Sequence, residues 1–139
     1  YADAVCRRDE ADWASTWAED AVWDLSSMPP VKGKKDIVAL WVQAMSGFPF
    51  AGQLIQNGTV EVDGDKASGR WYITEHLQFA EKDEQGNSTG MFNIGVYQDK
   101  YIKVNGEWLF SERHYGVLYN DGGSGNMSGT VNPYPDLID

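Results

Sequence analysis

The chain has little of what several functional classes require. It holds one cysteine, Cys6, among 139 residues. No intrachain disulfide can therefore form, which fits the reducing cytoplasm where we expect the protein. Eleven Lys and Arg residues face 21 Asp and Glu residues, a formal net charge of −10. Surfaces for nucleic acid or anionic lipid need clustered positive charge, so we expect no nucleic-acid partner and no membrane partner.

Long apolar runs and cofactor motifs are also missing. No run approaches the roughly 20 apolar residues of a membrane-spanning helix, and no secretory leader is visible. No glycine-rich segment fits a phosphate cradle, and no spacing of His, Cys or Asp indicates a metal site. We expect neither a cofactor nor a metal.

The composition that is present predicts one globular domain. Hydrophobic residues make up 42% of the chain and aromatic residues 13%, and the length suits a single core. No internal repeat or boundary divides residues 1–139. The segment 120–139, rich in Gly, Ser, Asn and Pro, predicts a loop-like C-terminal tail.

The periodicity places helices first and strands afterwards. Asp9 followed by Asp12 predicts a helix N-cap, and the Trp13–Trp17 spacing predicts one further helical turn. Further predicted elements are a strand over 21–25, a helix over 36–45, strands over 53–62, 67–80, 91–104 and 108–119, tight turns at 63–65 and 105–106, and a long polar loop over 81–89. This order predicts an α+β fold. Apolar residues on both faces of the strands predict a covering second subunit, hence a homodimer.

One carboxylate falls on an apolar face. The two-residue period of a strand puts Glu75 on the same face as Trp71 and Ile73. An unpaired buried carboxylate costs several kcal/mol or acquires a raised pKa, and such acids serve as general bases or acids near neutral pH. The alternatives are a structural ion pair with a buried arginine and a position at an open edge.

Three segments carry a family resemblance: YADAVCRRDEADWASTWAEDAVW at 1–23, NGTVEVDGDKASGRW at 57–71 and YQDKYIKVNGEWLFSERHY at 97–115. They resemble the SnoaL-like branch of the NTF2-like superfamily over nearly the whole chain. The resemblance implies an α+β cone, a curved antiparallel sheet wrapped around helices, with an apolar pocket and usually a dimer. Members include dehydratases, dehydrochlorinases, isomerases, cyclases and non-catalytic association domains, so fold alone does not settle the activity.

The scytalone dehydratase and dehydrochlorinase group looks closest, and it uses an Asp-His dyad. The corresponding positions here are Cys6 and Gln53. Glutamine cannot take a proton at neutral pH, and cysteine orients a base poorly. We therefore predict no Asp-His elimination chemistry, and we expect Cys6 to be a small buried hydrophobe.

The resemblance implies other pocket positions: Trp23, Leu25, Ile73, Glu75, Asn93, Tyr97, Arg113, Tyr115 and Val117. Gln53 and Trp71 are further candidates for ligand contacts. A register shift of one residue would turn His114 inward in place of Arg113. In either register, the alternation places Trp108 and Phe110 on the face of His114.

The sequence thus predicts a protein that binds a small apolar or aromatic molecule. As an enzyme it would be a cofactor-independent lyase or isomerase, with Glu75 as base and with Arg113 and Tyr97 polarising an oxygen. The alternatives are a binding or association module without catalysis, and a cone whose pocket has collapsed. Arg113 beside Glu75 could also be a structural ion pair.

Overall fold

The computed structural model describes residues 1–122, 130–131 and 136. Its elements in chain order are α1 (Ala2–Arg7), α2 (Glu10–Ser15), β1 (Trp17–Asp24), β2 (Val31–Lys32), α3 (Lys34–Ser46), β3 (Phe50–Asp63), β4 (Lys66–Lys82), β5 (Ser88–Val104), β6 (Glu107–Asn120) and β7 (Thr130–Val131). The strands form one sheet in the order β2-β1-β6-β5-β4-β3, with β7 on β6. Only the β1–β6 pair is parallel among these strands. The predicted α+β class is confirmed.

Tight turns create the long hairpins. Asn105 and Gly106 both have positive φ, 52° and 87°, the geometry of a two-residue turn that matches strand twist. The turn pairs Val104 with Glu107 and so fixes the register of β5 against β6 at that end. The predicted turn at 63–65 is likewise present, between Asp63 and Lys66.

Helix α2 begins as predicted, because the Asp9 side chain accepts a hydrogen bond from the Asp12 backbone N–H. It ends at Ser15, however, and Trp17 opens β1 instead of continuing the helix. Trp13 and Trp17 still lie in contact, with ring centroids 5.4 Å apart. Both side chains are buried in the same core, although Trp13 lies on α2 and Trp17 on β1.

Two predicted loops are shorter than expected. Strands β4 and β5 extend to Lys82 and Ser88, so the loop spans only 83–87, where Asp83 accepts hydrogen bonds from the backbone of Gln85 and Asn87. The predicted tail over 120–139 begins inside β6, and Thr130–Val131 pairs with that strand. Residues 123–129, 132–135 and 137–139 lie outside the described residues.

The helices pack on one face of the sheet, here called the inner face, which carries Ile73 and Glu75. Ile37, Trp41 and Met45 recur every four residues along α3 and are buried. Trp13 stacks on Trp41 at 4.8 Å between ring centroids. Among the described residues, no helix is long and apolar enough to cross a membrane.

Strand register arranges the inner face in rows across β3, β4, β5 and β6. We call the end of the inner face that carries Glu75 the closed end and the end that carries Arg113 the open end. From the closed end outward the rows are Gln53–Glu75–Asn93–Asn120, Ile55–Ile73–Gly95–Val117, Gly58–Trp71–Tyr97–Tyr115, Val60–Gly69–Asp99–Arg113 and Val62–Ala67–Tyr101–Phe110. The first row is entirely polar and holds one charged residue, Glu75. The fourth row holds two residues of opposite charge, Asp99 and Arg113.

Candidate functional site

The Glu75 carboxylate is closed off by neighbouring side chains. Glu75 is 7% exposed. Gln53 Nε2 donates to its Oε1 at 2.5 Å, and Asn93 Nδ2 donates to its Oε2 at 3.3 Å. The Tyr115 hydroxyl donates to the same Oε2. All these donors are neutral, so Glu75 is a buried carboxylate held without a contacting cation among the described residues.

Tyr115 reaches Glu75 across a glycine. A Cβ atom at Gly95 would lie 2.2 Å from the Tyr115 ring, so a side chain there would displace the ring. Burial and the negative charge of Glu75 raise the pKa of the Tyr115 hydroxyl. The hydroxyl therefore stays protonated and remains a donor at neutral pH.

The Cys6 position differs from its prediction. Cys6 is exposed, not buried. Its Sγ accepts from the Gln53 backbone N–H at 3.2 Å and lies 3.4 Å from the Gln53 carbonyl oxygen. The two positions that the resemblance equates with the dyad are therefore neighbours, and the thiol links α1 to β3.

Arg113 faces inward and is 3% exposed, so the register with Arg113 inside is the one formed. Its partner is Asp99, not Glu75: Nε and Nη2 donate to the two Asp99 oxygens at 2.8 and 2.7 Å. Burial alone would lower the pKa of Arg113, but its hydrogen bonds and attraction to Asp99 outweigh that effect and raise it. Nη1 has no hydrogen-bond partner among the described residues.

Three aromatic rings enclose the guanidinium. The Arg113 Cζ atom lies 3.8 Å from the Tyr97 ring centre, 4.0 Å from that of Phe110 and 4.2 Å from that of Tyr1. Ring faces are electron-rich, and such contacts stabilise a desolvated cation. Asp99 and the rings together hold the guanidinium in one orientation.

A β-bulge explains why sequence alternation misplaced part of β6. Lys100 pairs with Glu112 while Tyr101 pairs with Phe110, so Ser111 is an extra residue. Phe110 and Trp108 therefore share the inner face with Arg113, and the prediction that they share the face of His114 was wrong. His114 lies on the outer face, its Nδ1 3.1 Å from an Asp24 carboxylate oxygen.

Tyr97 connects the two charged centres. Its ring contacts Arg113, and its hydroxyl accepts from Gln53 Nε2 at 3.2 Å, the amide that also donates to Glu75. Burial, above all, raises the pKa of Tyr97 well above its ordinary value. The hydroxyl is therefore neutral at physiological pH.

An apolar recess of about 500 Å³ opens beside Arg113. We call it the Arg113 recess; its walls are Tyr1, Ile55, Trp71, Tyr101, Phe110 and Arg113, with Val60, Val62 and Trp108 at its rim. Of the predicted site residues, Trp71 and Arg113 line it. The Tyr97 ring contacts the Arg113 guanidinium but does not line the recess.

The other predicted site residues lie deeper in the cone. Gln53, Asn93 and Tyr115 surround Glu75 in the closed cluster. Ile73, Tyr97 and Tyr115 form a small core to which Leu25 packs, while Trp23 belongs to the core of the helical layer. Among the described residues, no group of three or more His, Cys, Asp or Glu could hold a metal ion.

Asp99 and Tyr101 are functional candidates that the sequence analysis missed. The Trp71 indole N–H donates to the Tyr101 hydroxyl at 3.0 Å, and that hydroxyl donates to Asp99 at 2.8 Å. This chain fixes the carboxylate that holds Arg113. The charges of the two strands could have indicated this pair. A regular ladder counted from the Val104–Glu107 turn would place Asp99 opposite Glu112, two like charges. A bulge of one residue places Asp99 opposite Arg113 instead and so forms an ion pair.

A larger groove of about 780 Å³ crosses the outer face. Its walls carry Lys66, Arg70 and Lys100 together with Glu61, Asp63 and Glu112. Charges of both signs offset each other there and do not select a ligand of one sign. The candidate site is therefore the Arg113 recess.

Comparison with known proteins agrees with this architecture. The sequence matches the SnoaL-like domain family over residues 1–114. The chain belongs to this family. An uncharacterised protein of Mycobacterium tuberculosis is 25% identical over 114 residues, which cover 81% of this chain and 75% of that protein. The SnoaL-like assignment predicted from the three segments is confirmed.

Solved structures similar to this SnoaL-like chain share its fold. A protein of Kribbella flavida superposes with a TM-score of 0.78 at 19% identity, covering 87% of this chain and 85% of that one. The hexachlorocyclohexane dehydrochlorinase LinA-type3 of Novosphingobium barchaimii gives 0.73 at 24% identity, covering 95% and 87%. An NTF2-like protein of Streptomyces avermitilis gives 0.72 at 15%, covering 84% and 88%. The predicted NTF2-like fold is confirmed; such low identities carry no activity to this chain.

Proposed function

We propose that this SnoaL-like chain binds a compact apolar or aromatic molecule with a carboxylate, phenolate or carbonyl oxygen, and that it does so in the Arg113 recess. The observation that carries the proposal is Arg113 Nη1, which belongs to a 3% exposed side chain and has no hydrogen-bond partner within the described part of the chain. A buried donor without an acceptor costs about 1–3 kcal/mol, and more when it is charged. Nη1 is itself buried beneath the enclosing rings, so a ligand oxygen that removed this cost would have to displace one of them.

The walls support the same ligand class. Trp71, Tyr101 and Phe110 offer aromatic surface to a flat or compact molecule. Pockets for small molecules are commonly apolar, with few polar groups that fix the orientation. Arg113 is the charged group among the lining residues and would set that orientation.

A proton-transfer enzyme of the lyase or isomerase class is the second candidate. Glu75 favours it, because only neutral donors contact its carboxyl group among the described residues, and carboxyl groups serve as general bases or acids. Tyr97 and Arg113 would polarise the substrate oxygen. Against it, Glu75 does not line the recess, and Cys6 and Gln53 replace the family dyad. We therefore place binding first.

A homodimer remains part of the proposal. Phe92 and Ile94 are only half-buried on the outer face of β5, and a second copy there would cover them. Sedimentation equilibrium of the purified chain tests this. A monomer at every concentration would contradict it.

Thermal unfolding with phenylacetate and with 2-phenylethanol tests the binding proposal. The carboxylate should raise the melting temperature further at each increase in its concentration, and the alcohol should do so far less. The double variant Arg113→Leu/Asp99→Leu removes both charges together and should abolish the difference. A matched control, Lys100→Leu/Glu112→Leu, removes the outer ion pair and should keep it. Equal shifts for acid and alcohol in the unmodified chain would refute Arg113 as the oxygen-binding group.

Glu75→Gln separates the two candidates. A binding protein should keep the phenylacetate shift in this variant, since Glu75 lies outside the recess. An enzyme should lose turnover on hydroxylated or carbonyl substrates while it retains binding. Turnover that Glu75→Gln leaves unchanged would exclude Glu75 as the base.

A further inference from the structure

The exposed apolar side chains of the described residues are not scattered. Nine large hydrophobic residues are exposed, and four of them, Ile55, Val60, Val62 and Trp108, border the Arg113 recess. Val62 is the most exposed of the nine at 64%, and Val60 is 53% exposed. Single exposed hydrophobes need no explanation, but a cluster at the mouth of an apolar recess marks a binding surface.

The strand register makes the recess and this rim one surface. Val60 and Arg113 end the same row across the four strands, with Gly69 and Asp99 between them. A Cβ atom at Gly69 would lie 3.1 Å from the Trp71 indole nitrogen and 3.2 Å from the Tyr101 ring. The absence of a side chain thus lets both rings lie close to the sheet. They form an aromatic floor that leads from Arg113 to Val60.

The charges along this path select the occupant. At its inner end the guanidinium is buried, and its Nη1 has no hydrogen-bond partner in the described ranges of the chain. At the outer end Lys103 Nζ lies 5.7 Å from the centre of the Trp108 ring. A chain with a net charge of −10 would repel an anionic membrane surface at long range. A small amphiphile fits both the apolar path and its cationic inner end.

We infer that the ligand is an elongated amphiphilic carboxylate whose head contacts Arg113 and whose apolar body extends beyond the recess onto Ile55, Val60, Val62 and Trp108. This inference rests on the proposed function and names its ligand class. Because the rim is open, only part of each added methylene is buried there. A fully buried methylene contributes about 0.8 kcal/mol, or about fourfold in affinity. On the rim we expect about twofold.

Calorimetric titration with hexanoate, octanoate, decanoate and dodecanoate, each below its micelle concentration, tests the inference. Affinity should rise about twofold per methylene with one ligand per chain. The alcohol of each length should bind about 10- to 150-fold more weakly, since a hydrogen bond to a charged group contributes about 1.5–3 kcal/mol. Affinity that does not change between octanoate and dodecanoate would overturn the inference.

A rim variant gives a second measurement. Val60→Thr/Val62→Ser should lower the dodecanoate-to-hexanoate affinity ratio several-fold. Leu54→Ser is the matched control, because Leu54 is 61% exposed on the same strand but does not border the recess. It should keep the ratio. A ratio that both variants lower equally would indicate non-specific adsorption and overturn the inference.

The same experiment distinguishes the two proposals. If phenylacetate binds with its dependence on Arg113 but the alkanoate series shows no gain with length, the elongated ligand is wrong and the proposed function stands. If neither phenylacetate nor any alkanoate binds, the proposed function fails and the inference fails with it.

Discussion

Glu75 and Arg113 are both buried charges on the inner face of one sheet, yet their surroundings differ. Both Glu75 oxygens accept hydrogen bonds from neutral side chains of the same chain. Arg113 lines an open recess and has a bidentate carboxylate partner and three aromatic neighbours, but its Nη1 has no partner among the residues that the structure describes. At the closed end both carboxylate oxygens of Glu75 accept hydrogen bonds, although Gln53 Oε1 has no hydrogen-bond partner among the described residues. At the open end the unpaired atom belongs to the charged group itself.

The difference teaches that burial alone does not identify the binding group. The sequence drew attention to Glu75 because it is a single charge on an apolar stripe. The arginine is the group that retains an unused donor next to accessible apolar surface. Several buried polar atoms lack a partner among the described residues, and the Arg113 recess is distinguished because such an atom, a charge and an open apolar surface occur there together.

The largest effect should come from Asp99→Asn. This change leaves the Arg113 charge buried without its anion, and breaking a buried ion pair on one side costs about 3–5 kcal/mol. Urea unfolding should show this loss. Glu112→Gln, which breaks the more exposed Lys100–Glu112 pair, should cost under about 1 kcal/mol. Equal losses in the two variants would contradict the special role of the inner pair.

Glu75→Gln tests whether the closed end depends on charge. The new amide would place a donor against the donors of Gln53, Asn93 and Tyr115. One buried group would lose its partner, at a cost of about 1–3 kcal/mol in the free energy of unfolding. An exposed control, Glu107→Gln, should change it by less than about 0.5 kcal/mol. A Glu75→Gln chain as stable as its parent would contradict the dependence of these three donors on the carboxyl group.

Alkaline pH should lower the free energy of unfolding through the hydroxyl groups of Tyr97 and Tyr115. Burial is the main cause that raises the pKa values of Tyr97 and Tyr115 above the ordinary value of 10.0. Because the folded chain holds these protons more tightly than the unfolded chain, their contribution is fully present below about pH 10 and is lost as pH rises above it. Unfolding free energies measured from pH 8 to 11 should fall, and Tyr115→Phe should lessen the slope. A flat profile would contradict the burial of these hydroxyls.

The smallest effect should come from the rim. Val62→Ser removes an exposed side chain and should change the free energy of unfolding by less than about 0.5 kcal/mol. Ile73→Val removes one methylene from a fully buried residue and should cost about 0.5–1.5 kcal/mol. Chemical denaturation of the two variants compares them directly. A large loss in Val62→Ser would mean that the rim belongs to the core.

Much of the fold could be predicted because its signals are local. The Asp9 cap, the Asn105–Gly106 turn and the two-residue alternation of β4 each depend on neighbouring residues, and each is confirmed. The early end of α2 could not be predicted from periodicity. Trp17 suits the buried side of a helix and of a strand equally well, and tertiary packing decides between them.

The site could be predicted only in part because it depends on register. Glu75 and Arg113 were placed on the inner face correctly, but the partner of Arg113 requires knowledge of the extra residue at Ser111. The two-residue alternation cannot reveal a bulge, because it assumes that two paired strands advance by the same number of residues. Cys6 was misjudged for a related reason. Whether a small thiol is covered depends on the edge strand beside it.

The bulge at Ser111 has a consequence for changes in chain length. If Ser111 were deleted, Glu112 would follow Phe110 directly, and Lys100–Glu112 and Asp99–Arg113 would remain opposite each other in an uninterrupted ladder. The observed pairs therefore require that Ser111 stay outside the ladder, and as an extra residue it adds local bend and twist to the strand. Without Ser111, β6 would keep both ion pairs and become straighter. We therefore expect the deletion to change the width of the opening of the Arg113 recess without replacing any residue that lines it.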